Sequence, residues 1–427
     1  MPITWTDTRS GDPIHLSLAA GTLTLSLAGH TNLSFDGEGR LVGAWFDGIT
    51  SRRTLDNRVQ MKWVADRRAG VRSRKMLDDD EGSAVIIRAY ETAETVHTAL
   101  HKGQIDTSEL STNLIAEIDG WLTRLGDWPW PRLEAERERF AQVYKPISIL
   151  PPDQYLALVL QATEGCSYNE CSFCTFYRDR PFRIQSLANF ATHIDAVRDF
   201  FGRGEQVRKT LFLADANAVI IPQARLLPLL DMANDTFPIL PINLSAHEQQ
   251  VWRADHPWHL NGIYAFVSAP DALRKHADDF AAMRASNVRR LYVGLESGHD
   301  PLRRFLRKEG TAADVLTAVR AIKAGGVDVG LICMVGVGGE QFRKAHLRDT
   351  VALLQQMPLD AHDLIYLSPF VASDDSPYVQ DAVDADITAL SAAELRAEEV
   401  RFQHALRPWA RELGVRISRY DIREFIY

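Results

Sequence analysis

Cysteine is scarce in this sequence, with four residues in a chain of 427. So few cysteines exclude the dense disulfide framework of a small secreted protein. Three of the four lie between positions 166 and 174, and such clustering is typical of a metal site. The hydrophobic content of 46% is enough for a buried core, so we expect an ordinary globular protein with two or three domains.

Long apolar runs and an excess of positive charge are also missing. No stretch approaches the roughly 20 apolar residues that span a bilayer, and the N-terminus carries no basic region followed by an apolar run. We therefore expect a cytoplasmic protein with no membrane partner. The chain has 48 Lys and Arg against 56 Asp and Glu, a formal charge of −8. Because this charge would repel a polyanion, we do not expect nucleic acid as a partner.

The first 145 residues are predicted to form an N-terminal domain, β-rich and then helical, of unknown role. Short apolar stretches such as 23–27 and 84–89, separated by turn sequences, indicate strands up to about residue 95. From 91 to 144 the apolar spacing becomes helical, and a Trp-Pro-Trp-Pro sequence at 128–131 interrupts it.

From residue 155 onward, short β-branched or aromatic runs alternate with amphipathic stretches, as in successive βα units of a parallel sheet. We predict strands at 156–161, 210–214, 263–267, 291–295, 328–335 and 364–367, and helices at 187–201, 223–233, 271–286, 312–324 and 342–357. Residues 237–261 fit neither pattern and are expected to be an insertion. The fold class is therefore α/β, a partial (β/α)6 TIM-like barrel over 146–370. A C-terminal extension over 371–427 holds a helix at 392–413 and a strand.

The three clustered cysteines, Cys166, Cys171 and Cys174, follow the first predicted barrel strand directly. Their C-x4-C-x2-C spacing lets three thiolates surround one compact centre, at the strand ends where barrels carry reactive sites. A structural zinc site is an alternative, but it needs a fourth ligand, and the nearest downstream histidine is His193. A plant-type [2Fe-2S] centre would need Cys333, in an apolar strand, as its fourth ligand. Three unligated cysteines are the remaining alternative.

This cysteine loop resembles that of the radical S-adenosylmethionine (radical SAM) superfamily. The resemblance implies a [4Fe-4S] cluster with three irons bound by Cys166, Cys171 and Cys174, and the fourth by the amino and carboxylate groups of S-adenosylmethionine (SAM). It also implies an enzyme. An electron from a donor such as a flavodoxin or ferredoxin splits SAM into methionine and a 5′-deoxyadenosyl radical, which abstracts hydrogen from a substrate. The commonest family motif has three residues between its first two cysteines, whereas this loop has four.

Residues near the first two strands resemble other parts of the family's cofactor site. Phe173, directly before the last cysteine, matches the family's aromatic position beside the adenine. Asp215 and Asn217 follow the second predicted strand and are similar to a short polar motif that accepts the amino group of SAM. The resemblance therefore implies that Phe173, Asp215 and Asn217 bind the cofactor.

The fourth and fifth strands end in sequences that also resemble the family. The fourth ends in G-L-E-S-G, similar to the branch that includes coproporphyrinogen dehydrogenase, the methylthiotransferases and Elp3-like proteins. This likeness implies that Glu296 and Ser297 line the cofactor cleft. Gly336 and Gly338 resemble glycines that let the backbone approach the adenine. Cys333, inside the same strand, is expected to pack in the core.

The resemblance covers about residues 150–370 and leaves the substrate unknown. The absence of a second cysteine cluster disfavours methylthiotransferases and enzymes with auxiliary clusters, and no D-x-H-x-x-G signature of a cobalamin domain occurs. A non-catalytic iron-sulfur electron-transfer protein or a structural zinc-binding protein is the alternative function.

Two further motifs receive no site in this interpretation. His97 and His101 have helical i,i+4 spacing but lack the acid of a zinc-protease motif, so we expect them to face solvent. The acidic run at 78–81 lacks the spaced ligands of a calcium loop and is expected to form a solvated turn.

Overall fold

The computed structural model describes residues 3–19, 21–66 and 71–427. The chain divides into two compact units. Unit 1 comprises the described residues up to Pro146 together with Asp195–Lys209 and Ile426–Tyr427, and unit 2 comprises Ile147–Ile194 and Thr210–Phe425. The predicted division into 1–145, 146–370 and 371–427, with the roles given to those regions, stays a prediction. Within the described ranges, no helix is long and apolar enough to cross a membrane.

Unit 1 contains a sheet in which sequential strands pair antiparallel. Its strands are β1 (Ile3–Asp7), β2 (Pro13–Ala19), β3 (Thr22–Leu27), β4 (Thr31–Asp36), β5 (Leu41–Phe46), β6 (Ile49–Arg53), β7 (Val59–Asp66), β8 (Val71–Met76) and β9 (Ile105–Asp106). The order across the sheet is β8-β7-β6-β5-β4-β3-β2-β1-β9. In β3, Leu23 and Leu25 are fully buried while the intervening residues are partly exposed, the alternation of a sheet that covers a core with one face.

Three helices complete this part of the chain: α1 (Asp79–His101), α2 (Thr112–Gly126) and α3 (Trp130–Val143). Residues 84–89, predicted as a strand, lie in α1, because the buried positions Ile86, Ala89 and Ala93 continue a helical spacing. The acidic run at 78–81 is not a separate turn. Asp78 caps α1 and forms a reciprocal capping box with Glu81, so the run begins the helix.

Unit 2 is built on a parallel sheet. Its strands are β10 (Ala157–Gln161), β11 (Thr163–Glu164), β12 (Arg183–Ile184), β13 (Thr210–Ala214), β14 (Ile263–Val267), β15 (Val288–Glu296), β16 (Asp328–Val335), β17 (Leu364–Pro369) and β18 (Arg416–Arg419). Seven of them form the sheet β10-β13-β14-β15-β16-β17-β18, with parallel pairing throughout. Every residue of β10 and β13 is buried, which explains their continuous apolar sequences. The predicted α/β class is confirmed, and the C-terminal tail adds the seventh strand.

The remaining helices are α4 (Leu187–Phe201), α5 (Gln223–Thr236), α6 (Ala246–Asp255), α7 (Ala269–Ala272), α8 (Ala277–Ala285), α9 (Asp300–Phe305), α10 (Ala312–Ala324), α11 (Gly339–Leu354), α12 (Pro377–Asp384) and α13 (Ala392–Leu413). The single helix predicted at 271–286 is wrong, because a capping box between His276 and Asp279 starts α8 separately from α7. The expected insertion at 237–261 contains α6, whose capping box joins Ser245 and Glu248.

Candidate functional site

Unit 2 contains a cavity of about 230 Å³ at the carboxyl ends of its parallel strands. The loops that follow the strands converge at this end, where barrels bind their ligands. Much of the wall is apolar and aromatic, from residues that include Phe176, Tyr177, Phe266, Met334, Phe370 and Tyr420. Of the predicted site residues, the cavity brings together Cys166, Phe173, Cys171, Cys174, Asn217 and Glu296.

The cysteine loop is held at both ends and along its backbone. Strands β11 and β12 pair antiparallel on either side of it. Within the loop, the N–H of Ser172 donates to the Leu306 carbonyl at 3.0 Å. The Arg178 guanidinium donates to the carbonyls of Cys174 at 2.8 Å and Cys171 at 3.1 Å. Arg178 therefore fixes the loop itself.

Two left-handed residues let the loop turn at its start. Gly165 has φ of +74°, and a Cβ there would lie 3.1 Å from the Pro181 carbonyl oxygen. Asn169 has φ of +52°, a conformation that asparagine tolerates better than most residues. Its amide Nδ2 donates to the Tyr177 carbonyl at 3.2 Å, and its backbone N–H lies 3.4 Å from Cys166 Sγ. The first cysteine spacing of four residues is thus accommodated by a left-handed turn at Asn169.

The spacing of the three thiols bears on the kind of centre they could hold. In the described ranges, the groups with three ligand atoms within 4.8 Å of one another are His97, His101 and Asp119, and Asp328, Asp360 and Asp363. The three cysteines do not form such a group. Sulfur atoms around one tetrahedral zinc ion lie about 3.8 Å apart, given Zn–S bonds of about 2.3 Å. A wider arrangement of thiols fits a multi-iron cluster better than a single ion.

Burial affects the protonation of these thiols. It raises the pKa of Cys171 and raises the pKa of Cys174 to about 11. Both would be thiols at neutral pH without metal, so binding of iron would release their protons. Cys333 is fully buried in β16, and burial, together with the nearby Glu296 carboxylate, raises its pKa well beyond the usual range. The described cavity wall does not include Cys333, so a four-cysteine site gains no support.

A buried ion pair forms one wall of the cavity. Glu296 Oε1 accepts a hydrogen bond from Lys308 Nζ at 3.2 Å, and both residues line the cavity. Burial favours the neutral amine of Lys308, but the nearby carboxylate of Glu296 favours the charged ammonium, so the pKa of Lys308 is raised overall. Glu296 thus has the polar partner that a buried carboxylate requires.

Asn217 links three segments at the rim. Its Nδ2 donates to the Asp271 carboxylate and lies 3.3 Å from Ser167 Oγ, in the cysteine loop. Its Oδ1 accepts from the Ser268 N–H at 3.3 Å. The amide therefore joins the end of β13, the end of β14 and the cysteine loop.

The cysteine loop, the cavity and their strand ends lie in a segment that matches one family model. Residues 160–353 match the model described as the Radical SAM superfamily. This segment of the chain belongs to the radical SAM superfamily. No curated protein matches the chain.

Several solved structures of radical SAM proteins are remotely similar. The cobalamin-dependent S-adenosylmethionine radical enzyme OxsB is 14% identical, with 58% of this chain and 31% of that chain covered and a TM-score of 0.34. Archaeal Elp3 from Methanocaldococcus infernus is 12% identical, with 55% and 54% covered and a TM-score of 0.39. Coproporphyrinogen III oxidase (HemN) from Escherichia coli is 12% identical, with 67% and 57% covered and a TM-score of 0.41. The chain thus spans less than a third of the OxsB structure.

Within the radical SAM segment, Asp215 contacts the cysteine loop and is not among the described cavity-lining residues. Its carboxylate accepts from Gln161 Nε2 at 2.9 Å and from the Gly165 N–H at 3.0 Å. Arg180 Nε lies 3.4 Å from the same oxygen that Gly165 contacts. Both oxygens are therefore engaged by the chain, and a contact of Asp215 with SAM stays a prediction.

Ser297, Gly336 and Gly338 also lie outside the described cavity lining. Ser297 Oγ is 2.8 Å from His346 Nδ1 in the core. Gly336 and Gly338 have φ of +82° and +81°, which favours glycine, and a Cβ on Gly336 would lie 2.4 Å from the Leu395 side chain. These residues shape the backbone behind the cavity, and their contact with SAM stays a prediction.

Two structurally important residues were not predicted. Arg303 is buried and donates to the carbonyls of Leu295 at 2.6 Å, Glu309 at 3.0 Å and Gly310 at 3.1 Å. Asp271 is the buried partner of the rim amide described above. The sequence did indicate that Arg303 is buried, because in D-P-L-R-R-F-L at 300–306 it lies next to Leu302 and one helical turn before Leu306. The contact between Asp271 and Asn217 could not be predicted, because the two residues follow different strands and are far apart in the sequence.

Proposed function

We propose that this protein is a radical SAM enzyme that cleaves S-adenosylmethionine reductively and abstracts hydrogen from a substrate that is not identified. When bound, a [4Fe-4S] cluster and SAM supply the electron transfer that breaks a sulfonium carbon–sulfur bond, giving methionine and a 5′-deoxyadenosyl radical. The observation that carries the proposal is the placement of three spaced thiols on one anchored loop, facing a cavity at the strand ends. The family match over the same segment supports it.

In this proposal, Cys166, Cys171 and Cys174 bind three irons as thiolates. SAM would bind the remaining iron, since the described cavity wall offers no fourth cysteine. Cys333 takes no part, because it is buried inside β16. The hydrogen bonds of Arg178 to the loop carbonyls hold the thiols in place before the cofactors bind.

The cavity-lining residues would bind and orient SAM. Phe173 offers an apolar face for the adenine, as the resemblance implies. Glu296 offers a carboxylate oxygen to hydrogen-bond donors of SAM, and its hydrogen bond from Lys308 Nζ fixes the direction of that carboxylate in a buried place. Asn217 fixes the rim beside them. The apolar walls exclude water, which protects a reactive radical from side reactions.

Asp215 would act through the loop. Its bonds to Gln161 and to the Gly165 N–H, directly before Cys166, make it a positioning residue for the first thiol. Ser297, Gly336 and Gly338 would likewise set the shape of the strand ends.

The wider roles are part of the same proposal. Residues 1–145 would contribute to substrate choice, since all residues matched to the cofactor site lie after Gln161. Residues 146–370 would carry the radical chemistry, with 371–427 as an extension. A cytoplasmic flavodoxin or ferredoxin would supply the electron.

The test is anaerobic reconstitution of the full chain with iron and sulfide, followed by SAM and dithionite. We expect close to four irons per chain, a change in the EPR spectrum of the reduced cluster when SAM is added, and formation of 5′-deoxyadenosine. A fully reconstituted protein that never cleaves SAM with any of several reductants would overturn the proposal in favour of electron transfer. One tightly bound zinc ion and no iron would favour a structural zinc protein.

A further inference from the structure

Two histidines and an aspartate converge in unit 1, away from the cysteine loop in sequence. His97 and His101 lie one turn apart on α1, and Asp119 comes from α2. His97 Nε2 is 2.9 Å from Asp119 Oδ1 and 2.9 Å from His101 Nε2, and His101 Nε2 is 3.0 Å from Asp119 Oδ1. His101 is mostly exposed, as expected, whereas His97 is partly buried, and a second helix supplies the acid that the sequence motif lacked.

Hydrogen bonding alone cannot satisfy this triangle. A neutral imidazole Nε2 carries either a hydrogen or a lone pair, and an ionised carboxylate only accepts. If both rings carry hydrogen on Nε2, the two N–H groups oppose each other across the edge between His97 and His101. If one ring lacks that hydrogen, its lone pair faces the Asp119 oxygen. In every such arrangement at least one edge is unfavourable, whereas a cation above the triangle would be attracted by all three lone pairs.

The dimensions match the coordination of a small divalent ion. Ligand atoms about 2.0 to 2.1 Å from a tetrahedral metal lie about 3.3 Å apart, close to the three edges of 2.9 to 3.0 Å. An ion at that distance would sit about 1.1 Å above the plane of the three atoms. Only a slight outward movement of the side chains would be needed.

A second three-ligand group in the described ranges gives a useful contrast. This group consists of Asp328, Asp360 and Asp363. Lys323 Nζ forms ion pairs with Asp360 and Asp363, both at 2.8 Å. The chain thus supplies a cation to that acidic group. Among the described residues, the ion pairs of Asp119 are those with His97 and His101, so the cation at this place would have to come from solution.

We propose that His97, His101 and Asp119 form a binding site for a divalent transition-metal ion such as Zn²⁺, independent of the cysteine loop. The two nitrogen ligands and one oxygen ligand suit Zn²⁺ or its neighbours and disfavour Ca²⁺ and Mg²⁺, which take oxygen ligands. The His101 side chain is 60% exposed and that of Asp119 37%, so water can occupy the fourth position. The ion would join α1 to α2.

Cobalt(II) is the probe that separates this site from the cysteines. The experiment uses the full chain with its cluster reconstituted, excess iron removed and the solution kept anaerobic. We expect one additional Co²⁺ per chain, with visible d–d absorption typical of tetrahedral coordination and without the intense near-ultraviolet charge transfer of a cobalt–thiolate bond. Zn²⁺ should displace the cobalt, and Mg²⁺ should not.

Three variants and a control complete the test. His97→Ala, His101→Ala and Asp119→Asn should each weaken Co²⁺ binding by at least about 100-fold, because removal of even an outer-shell partner costs about 10–100-fold. The control is Glu117→Gln, which alters an exposed carboxylate on α2, the helix of Asp119. This variant should bind Co²⁺ as the wild type does. His101 is mostly exposed, so its variant should fold, as circular dichroism would verify. Wild-type protein without a cobalt signal at micromolar concentration, binding that all three variants retain, or a thiolate charge-transfer band would overturn the proposal.

Discussion

Arg40 in unit 1 and the Glu296–Lys308 pair in unit 2 are both buried charged groups, but their surroundings differ. Arg40 donates to Glu136 at 2.6 Å, contacts Asp36 at 3.4 Å and donates to the Phe201 carbonyl at 3.1 Å. Burial opposes its charge, yet the two carboxylates raise its pKa overall. The Glu296–Lys308 pair has one mutual hydrogen bond and faces a cavity.

The difference shows what separates a structural charge from a functional one. A buried charge that the chain surrounds with partners has a structural role, and its removal leaves other buried charges unpaired. A buried charge beside a cavity can still form a hydrogen bond or an ion pair with a ligand. The second kind marks a site more reliably than burial or a perturbed pKa alone. The following experiments test this distinction, beginning with the largest expected effect.

Replacing any one of Cys166, Cys171 or Cys174 with Ala should prevent the three-cysteine cluster from forming. We expect the cluster to be lost or strongly depleted and 5′-deoxyadenosine to fall to background, because three ligands are the fewest the proposal allows. Iron, sulfide and 5′-deoxyadenosine are the measurements. Cys333→Ala is the matched control and should keep its iron. Loss of the cluster in a folded Cys333→Ala protein would instead support a four-cysteine centre.

Replacing Arg40 with Met should have the largest effect on stability. Asp36 and Glu136 would be left buried without their partner, at a cost of about 3–5 kcal/mol in the free energy of unfolding. Denaturant unfolding followed by circular dichroism measures it. Arg9→Met is the control, since Arg9 pairs with Asp7 near the surface, where solvent screens the pair, and its loss should change the free energy of unfolding far less. Equal losses in the two variants would contradict the distinction between enclosed and exposed charges.

In unit 2, the buried His346 allows the effect of an enclosed titratable group on stability to be measured as a function of pH. Burial lowers the pKa of His346 to about 4, while its ring contacts Ser297 Oγ and the Met334 carbonyl. The folded state therefore favours neutral histidine, so stability is unaffected above about pH 6.5 and falls as pH drops from there toward 4. At about 1.4 kcal/mol per pH unit, the loss approaches about 3 kcal/mol.

His346→Gln should remove this part of the pH dependence, so the curve of unfolding free energy against pH should be flatter between pH 6.5 and 4. The same change at the exposed His362 serves as the control. Parallel curves for the His346 variant and the wild type would show that this ring is not held neutral.

Replacing Glu296 with Gln should have a smaller effect, confined to the cofactor. A charge-assisted hydrogen bond contributes about 1.5–3 kcal/mol, so 5′-deoxyadenosine formation should fall by about one to two decades with iron intact. Asp215→Asn makes the comparison sharper. Its bond to the Gly165 N–H, directly before Cys166, predicts that this variant retains the cluster less well. Iron loss in the Glu296 variant rather than the Asp215 variant would reverse these roles.

The parallel strands could be predicted closely from the sequence. The predicted bounds 210–214, 263–267 and 328–335 agree with β13, β14 and β16, because strands buried on both faces give continuous apolar runs between polar turns. The grouping of 195–209 with unit 1 could not be predicted. Amphipathic spacing in α4 shows that it has a buried face, but not which core that face joins.

The candidate site was predictable where one segment carries the signal and unpredictable where several converge. The cysteine spacing is local, so the loop could be located from the sequence. The direction of the Asp215 carboxylate depends on Gln161, Gly165 and Arg180, whose placement follows from the folded loop. The partner of His97 and His101 likewise comes from another helix.

Arg303 has a consequence for the time scale on which the cavity can change. Its guanidinium holds the carbonyls of Glu309 and Gly310, and its own carbonyl accepts from the Lys308 N–H at 2.9 Å. The backbone of Lys308 therefore moves only when this set of bonds opens together, which is a slow local opening rather than a fast fluctuation. In hydrogen exchange, the Lys308 amide should be among the slow ones, although it belongs to a connecting segment.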